Sequence, residues 1–162
     1  MRTEPPIPSL TSSIWPHIII PYGYTDHEFA HKLAAELRRD QVSRWIEELD
    51  MSAGKFVVNW IAHSVRPVDI VIAVVSASSV TASWVQHDLG TVMAREFNGR
   101  HVTLLLARTD SCALPDTLAS QPCFDFRDEW NRAYDDLLVA IQRFASQRLA
   151  SRHPTTNTRR PR

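Results

Sequence analysis

Glycine is scarce in this sequence, with only four among 162 residues. The four stand far apart from one another, at Gly23, Gly54, Gly90 and Gly99. A dinucleotide-binding fingerprint or a phosphate-binding loop needs several closely spaced glycines, because the backbone must approach the phosphates closely. Both kinds of site are therefore excluded, and so is the Gly-x-Ser-x-Gly elbow that carries the nucleophile of many hydrolases.

Cysteines and long apolar runs are also few. The two cysteines, Cys112 and Cys123, lack metal-site spacing and are too few for a disulfide framework, which predicts a reducing, cytoplasmic environment. No apolar run approaches the roughly 18 residues that a membrane span needs. Glu4 and the prolines around it interrupt any signal-peptide core. We therefore expect no membrane association.

Positive charge is missing from the centre of the chain. Residues 14–147 hold 12 Lys and Arg against 17 Asp and Glu, whereas the two ends together hold six Arg and one Glu. An acidic domain is a poor nucleic-acid binder, because phosphate affinity needs clustered positive charge. We predict a disordered N-terminal tail over residues 1–13, one folded domain over residues 14–147 and a basic, disordered tail over residues 148–162.

The chain is rich in short apolar strands that alternate with helices. Strands are predicted at residues 17–20, 42–46, 69–75, 101–107 and 123–126. Helical spacing of apolar residues begins near Asp26, Phe56, Trp84 and Trp130. Such alternation predicts an α/β fold, in which helices cover both faces of a parallel sheet. The length suits the five-stranded, three-layer flavodoxin-like fold with strand order 2-1-3-4-5.

Two helices carry detailed expectations. Asp26 is expected to cap the first helix with its side chain. The second helix is expected to end before Pro67, which cannot continue it. Its predicted buried face consists of Val57, Trp60, Ile61, Ser64 and Val65.

The predicted strand order places a ligand crevice between the first and third strands, where the order reverses. Loops at residues 21–26 and 76–88 meet there, next to the loop that follows the second strand. Trp84 and Asp88 lie four residues apart, on one face of the first turn of the helix after the third strand. An aromatic ring and a carboxylate are therefore expected together at the crevice.

Two other sites fit this crevice poorly. A phospho-accepting receiver domain needs carboxylates at the ends of strands one and three, where this chain has Pro21, Tyr22 and Ser76. His27 and His31 form the only histidine pair at the helical spacing of metal ligands, and no third ligand is evident. We therefore predict neither a receiver site nor a bound metal.

The sequence resembles the Toll/interleukin receptor (TIR) domain family in four stretches that follow the family's order. The stretches are IIPYGYTD at residues 19–26, WIE through AGKF at residues 45–56, VD through WVQHDL at residues 68–89, and LPD through FDF at residues 114–126. The resemblance covers about residues 14–147, and its third stretch follows the spacing of many bacterial members. It implies a bacterial, stand-alone TIR domain.

The resemblance implies an activity as well as a fold. Many bacterial, plant and axon-degeneration members cleave NAD+ at its nicotinamide–ribose bond. The family's catalytic Glu falls on Asp88, one methylene shorter, and the ring that stacks on the nucleotide falls on Phe56. The further substrate-binding residues are Trp84, Tyr22, Gly23, Tyr24 and Ser76. NAD+ is then the substrate, and no cofactor is needed.

Two functions lead at this point, and binding of another nucleoside or nucleotide is a third alternative. One is a NAD+ hydrolase or cyclase in bacterial anti-phage immune signalling, which works with a separate effector or sensor protein. The other is a non-catalytic signalling module that acts through TIR–TIR contacts. Receptor members of the family keep similar motifs, and a carboxylate near a helix start is also common for capping and dipole reasons alone.

Self-association is expected through the loop after the second strand. The residues of this interaction loop are Glu47, Glu48, Leu49, Asp50, Met51 and Gly54. Leu49 and Met51 are not expected both to reach the core from a surface loop, and exposed apolar side chains suit a contact between domains. The alternative is that Leu49 folds back over strand two.

Overall fold

The five strands form one fully parallel sheet. The computed structural model describes residues 15–152. Its strands are β1 (His17–Tyr22), β2 (Trp45–Asp50), β3 (Ile70–Val75), β4 (Thr103–Arg108) and β5 (Cys123–Asp125). They lie in the order β2-β1-β3-β4-β5, and every neighbouring pair is parallel. The predicted flavodoxin-like α/β fold is confirmed, and the strand order reverses between β1 and β3.

Helices cover both faces of this sheet. They are α1 (His27–Arg39), α2 (Val57–His63), α3 (Leu89–Ala94) and α4 (Trp130–Arg152). Side chains of α1 and α4 share one hydrophobic cluster with Ile18 and Ile72, whereas α2 and α3 share a second cluster with Ile19 and Val71. Successive strand residues point to opposite faces, so the completely buried strands β1 and β3 supply both clusters.

A single π-helical turn, Trp84–Asp88, leads into α3. The amide of Leu89 hydrogen-bonds to the carbonyl of Trp84, five residues earlier. Turns of this kind are rare in proteins as a whole, and those that occur often lie at functional sites. Trp84, Val85 and Asp88 are its buried residues, so both predicted site residues of this segment point inward.

The predicted bounds of the second strand are wrong. β2 occupies Trp45–Asp50, which makes the first four residues of the predicted interaction loop part of an edge strand. Glu47 and Glu48 are accommodated there because histidine side chains lie within hydrogen-bonding distance. His17 Nε2 lies 2.8 Å from a Glu47 carboxylate oxygen, and His31 Nδ1 lies 2.9 Å from Glu48.

The predicted exposure of Leu49 and Met51 is also wrong. Leu49 is 2% exposed and Met51 is 5% exposed, and both pack in the cluster beneath α2 and α3. Both reach the core because the strand continues to Asp50 and turns only afterwards. The remaining surface turn is short and spans residues 52–56.

The second helix buries fewer side chains than predicted. α2 ends at His63, and its buried residues are Val57 and Ile61, which are four residues apart on one face. Trp60 is 38% exposed, and Val65 is fully exposed because it lies beyond the helix end, where helical spacing no longer applies.

The last helix is longer than predicted. α4 continues to Arg152, beyond the predicted domain boundary at residue 147. The predicted N-terminal tail and most of the C-terminal one fall in residues 1–14 and 153–162, which lie outside the described residues. Within residues 15–152 no helix combines the length and apolar character that crossing a membrane requires.

Candidate functional site

Hydroxyl and carboxylate groups join the C-terminal ends of β1 and β3. Ser76 Oγ donates a hydrogen bond to Asp26 Oδ2 at 2.6 Å and lies 2.9 Å from Ser78 Oγ. Ser79 Oγ accepts a hydrogen bond from the Ser76 amide at 2.9 Å, and Thr25 Oγ1 lies 2.5 Å from Ser78 Oγ. We call these five residues the hydroxyl cluster. It occupies the predicted crevice.

Asp26 precedes α1 but does not cap it, which makes its predicted role wrong. Its carboxylate makes no capping hydrogen bond because it is turned toward Ser76. Burial raises the pKa of Asp26, the negative charge of Asp110 raises it further, and the hydrogen bond from Ser76 opposes both. The pKa of Asp110 is lowered, chiefly by the hydrogen bond from the Ala77 amide.

The predicted substrate-binding residues at this edge differ in their access to solvent. Tyr22 and Ser76 are buried, Gly23 is half-buried, and only Tyr24 is highly exposed, at 76%. The ring of Tyr22 packs edge-on against His27, with centroids 5.9 Å apart. Its pKa is raised by burial and by the charges of nearby acids. A ligand at this edge would meet Tyr24 first.

Asp88 caps a helix that lies far from it in sequence. Asp88 Oδ2 accepts a hydrogen bond from the Val57 amide at 2.5 Å, and Oδ1 accepts one from the Val58 amide at 3.1 Å. These are the first two amides of α2, which has no side-chain cap of its own. The first amides of a helix need acceptors, and negative charge is favourable there. Asp88 therefore ties α2 to the π-helical turn.

Phe56 and Asp88 line one small pocket beside this cap. The pocket encloses about 360 Å³ and is also lined by Val58, Asn59, Ser83, His87 and Thr91. We call it the Asp88 pocket. The Phe56 ring is 51% exposed, whereas the Asp88 side chain is almost completely buried. The predicted ring and carboxylate are thus brought together.

The other predicted binding residues do not join this pocket. Trp84 is 6% exposed and packs in the core beneath α2 and α3. The residues that remain at the ends of β1 and β3, outside the pocket lining, are Tyr22, Gly23, Tyr24 and Ser76. The single crevice that the sequence predicted is therefore divided into the hydroxyl cluster and the Asp88 pocket.

Sequence reasoning missed the contact between Asp88 and α2, although one signal was present. Lys55 and Phe56 precede α2, and neither is a capping residue, so an acceptor had to come from another segment. The link between Asp26 and the serines after β3 had no comparable signal. It depends on the pairing of β1 with β3, which brings two distant segments together.

Metal-ligating side chains do not gather in the described part of the chain. No group of three or more His, Cys, Asp or Glu residues there could hold a metal ion. His27 and His31 instead stack with ring centroids 6.0 Å apart, and His31 pairs with Glu48.

Comparison with known families agrees with this architecture. A family model described as the TIR domain matches residues 18–138. The match begins in β1 and ends in α4, so it contains all five strands, the hydroxyl cluster and the Asp88 pocket. The comparison with curated proteins found no match. TIR domains are signalling domains that generally act through TIR–TIR contacts. Since the family match covers the whole sheet and most of the sequence, this chain belongs to the TIR domain family.

Proposed function

We propose that this TIR domain cleaves NAD+ at the nicotinamide–ribose bond when it assembles with other TIR domains. The observation that carries the proposal is that Phe56 and Asp88 line the same pocket. Small-molecule sites commonly enclose roughly 300–1,000 Å³. A pocket of about 360 Å³ therefore suits one end of a dinucleotide, the nicotinamide and its ribose. A neighbouring TIR domain would complete the site around the rest of the substrate.

The reaction demands few protein groups. Nicotinamide leaves as a neutral base from a positively charged pyridinium, so no general acid has to protonate it. The ribosyl carbon passes through an oxocarbenium-like state, which a nearby carboxylate stabilises electrostatically. Water then attacks this carbon to give ADP-ribose, or a nucleophile of the same molecule attacks it to give a cyclised product. In this proposal Asp88 is the carboxylate and Phe56 stacks on the substrate.

The cap on α2 makes this proposed activity dependent on assembly. An ionised carboxylate has about four acceptor sites, and two of those of Asp88 are occupied by the amides of Val57 and Val58. A shift of the first turn of α2 would free both oxygens. The turn at residues 52–56 leads directly into α2, so a TIR–TIR contact at that turn would act on Asp88. We place this activity in bacterial immune signalling, with a separate effector or sensor protein as partner.

A second function, that of a non-catalytic module acting through TIR–TIR contacts, is favoured by a specific observation. Asp88 is 5% exposed, and each of its oxygens accepts a backbone hydrogen bond. This is the geometry of a structural cap, and it needs no substrate to explain it.

Nicotinamide release from NAD+, measured over a range of protein concentrations, tests the first function. Asp88→Asn keeps an oxygen for the cap but removes the charge, whereas Asp26→Asn is a matched control that changes a buried carboxylate outside the pocket. We expect specific activity to rise with protein concentration, and to fall on the order of 10²-fold in Asp88→Asn alone.

Two outcomes would contradict the catalytic function. One is the absence of nicotinamide release by the folded wild-type chain at every concentration. The other is equal release by wild-type protein and Asp88→Asn. Signalling in cells that persists in Asp88→Asn would then assign the domain to the non-catalytic class.

A further inference from the structure

The β2 edge of the sheet carries a second and larger groove. It encloses about 760 Å³ and lies between β2 and α2. We call it the edge groove. Three of its lining residues are aromatic and partly exposed: Trp45, Phe56 and Trp60. Partly exposed aromatic residues around a groove of this size mark an interaction site.

Positive charge accompanies the aromatic rings. Arg66 lies over the ring of Trp45, with its guanidinium carbon 3.8 Å from the ring centroid. Lys55 also lines the groove, and Glu47 is its one acidic lining residue. The groove is therefore suited to an apolar segment that carries little or negative charge.

The chain enters β1 from the side of this groove. Ser43 Oγ donates a hydrogen bond to the Pro16 carbonyl, and the guanidinium carbon of Arg44 lies 6.0 Å from the centroid of the Trp15 ring. Ser43 and Arg44 come directly before β2, the edge strand. The described chain therefore begins beside the edge groove.

We propose that the edge groove binds the N-terminal segment of this same chain, residues 4–8 (EPPIP). Proline-rich segments favour the polyproline II conformation and dock in aromatic-lined grooves, because the preformed helix loses little entropy on binding. Here the rings of Pro5, Pro6 and Pro8 would pack against Phe56 and Trp60, which lie one helical turn apart. Ile7 adds apolar surface between them.

The length of the intervening chain fits this placement. The prolines precede Pro16 by eight to eleven residues, which corresponds to roughly 25–34 Å at about 3.1 Å per residue. The six residues of β2 span only about 20 Å. The segment is therefore long enough to run along β2 from its first residue to the turn beyond its last.

The direction of the segment also matches the charges. Trp45 pairs with His17 in the sheet, so it lies at the end where the chain enters β1. Phe56 and Lys55 follow the last residue of β2 and lie at the far end. Glu4, which precedes the prolines, would reach that far end and lie near Lys55.

Docking would also affect the Asp88 pocket, because Phe56 lines that pocket as well as the edge groove. A docked segment would hold the Phe56 ring and so compete with any ligand or partner of that ring. This consequence for activity rests on the proposed function, but the docking itself does not.

Disulfide trapping in the full chain tests the docking independently of activity. Ile7→Cys is combined with Asn59→Cys, a position on α2 that lines the groove, in a Cys123→Ser background that removes the exposed native thiol. The control combines Ile7→Cys with Val139→Cys, an exposed position on α4, which packs on the opposite face of the sheet.

We expect the Asn59 pair to form an intramolecular disulfide at least about tenfold faster than the control pair, because docking raises the effective concentration above that of a free tether. Replacing all three prolines with glycine keeps the tether length and should reduce the rate to that of the control. Lys55→Cys, at the same end of the groove, should repeat this order.

Three results would overturn the proposal. The first is equal rates for the groove and control pairs. The second is a rate at Asn59 that the glycine substitutions leave unchanged. The third is a disulfide that joins two chains, because the occupant would then be the segment of a second copy.

Discussion

Replacing Asp88 with alanine should release the N-terminus of α2 from the π-helical turn. The substitution leaves the amides of Val57 and Val58 without their acceptor, and the first of these residues is buried. Loss of an N-cap costs about 0.5–2 kcal/mol, and a buried polar group left unpaired costs about 1–3 kcal/mol. Because these penalties partly describe the same loss, we expect the free energy of unfolding to fall by about 2–4 kcal/mol.

The expected loss of unfolding free energy corresponds to a fall in melting temperature, whose size depends on the length of the domain. At roughly 3 °C per kcal/mol for a chain of this length, Tm should fall by about 6–12 °C in Asp88→Ala. Asp88→Asn keeps one oxygen acceptor and should lose about half as much. Denaturation by urea, followed by far-ultraviolet circular dichroism, measures both variants against wild-type protein.

Amide hydrogen exchange locates the effect. We expect the amides of Val57 and Val58 to exchange roughly 30-fold faster in Asp88→Ala, since 1.4 kcal/mol corresponds to a factor of ten. Amides in the centre of β3 should change only with global stability. A loss of less than about 0.5 kcal/mol, with unchanged exchange at both α2 amides, would refute the capping argument.

Other substitutions test the core, the Asp88 pocket and the crevice one at a time. Leu49→Ala should lower the free energy of unfolding by about 2–5 kcal/mol in urea denaturation, because it leaves a cavity in the core; a surface loop residue would cost far less. Phe56→Ala should change that free energy by less than about 1 kcal/mol, because Phe56 is half exposed, and should abolish nicotinamide release if the domain cleaves NAD+. Asp26 has a raised pKa in the folded state, so wild-type stability is lost as pH rises from the ordinary carboxyl value through the raised one. Asp26→Asn should therefore gain stability relative to wild type as pH rises above the ordinary carboxyl pKa of 3.8 in paired urea titrations, and a gap that does not grow would contradict the assignment.

The sheet could be predicted because its central strands carry their own signal. β3 is a run of six apolar residues with Val and Ile in the majority, which is typical of a parallel strand buried on both faces. The helices around it show apolar residues at helical spacing, and the alternation of the two patterns determines the layer arrangement. These signals are local, so one sequence was enough to find them.

The edge strand β2 could not be placed because its stability depends on distant residues. Three of its six residues are acidic, and such a run resembles a loop in isolation. In the fold, Glu47 pairs with His17 of β1, and Glu48 pairs with His31 and Arg38 of α1. The local sequence does not show such partners. Because the predicted strand ended too early, Leu49 was predicted in a surface loop although it lies in the core.

The geometry of the candidate site could be predicted in part. Spacing placed the carboxylate of Asp88 in the helical segment after β3, but it did not show that this carboxylate caps α2. The sequence predicted Phe56 and Asp88 close together, and both line one pocket. It also placed Trp84 there, yet the π-helical turn points that ring into the core. Capping of α2 by Asp88 depends on the packing of α2 against α3, which no spacing within either segment encodes.

The shorter side chain of Asp88 fits this cap, and Asp88→Glu therefore separates the two functions. Asp belongs to the residues that favour capping and Glu does not, so the longer side chain should cost about 0.5–2 kcal/mol of stability. It would also extend the carboxylate into the Asp88 pocket by one methylene, the length found in catalytic members that the sequence resembles. If the domain cleaves NAD+, Asp88→Glu should raise nicotinamide release several-fold despite its lower stability, in the same concentration series used for wild-type protein. If stability falls and nicotinamide release does not rise, Asp88 serves α2 alone, and the catalytic role assigned to it is wrong.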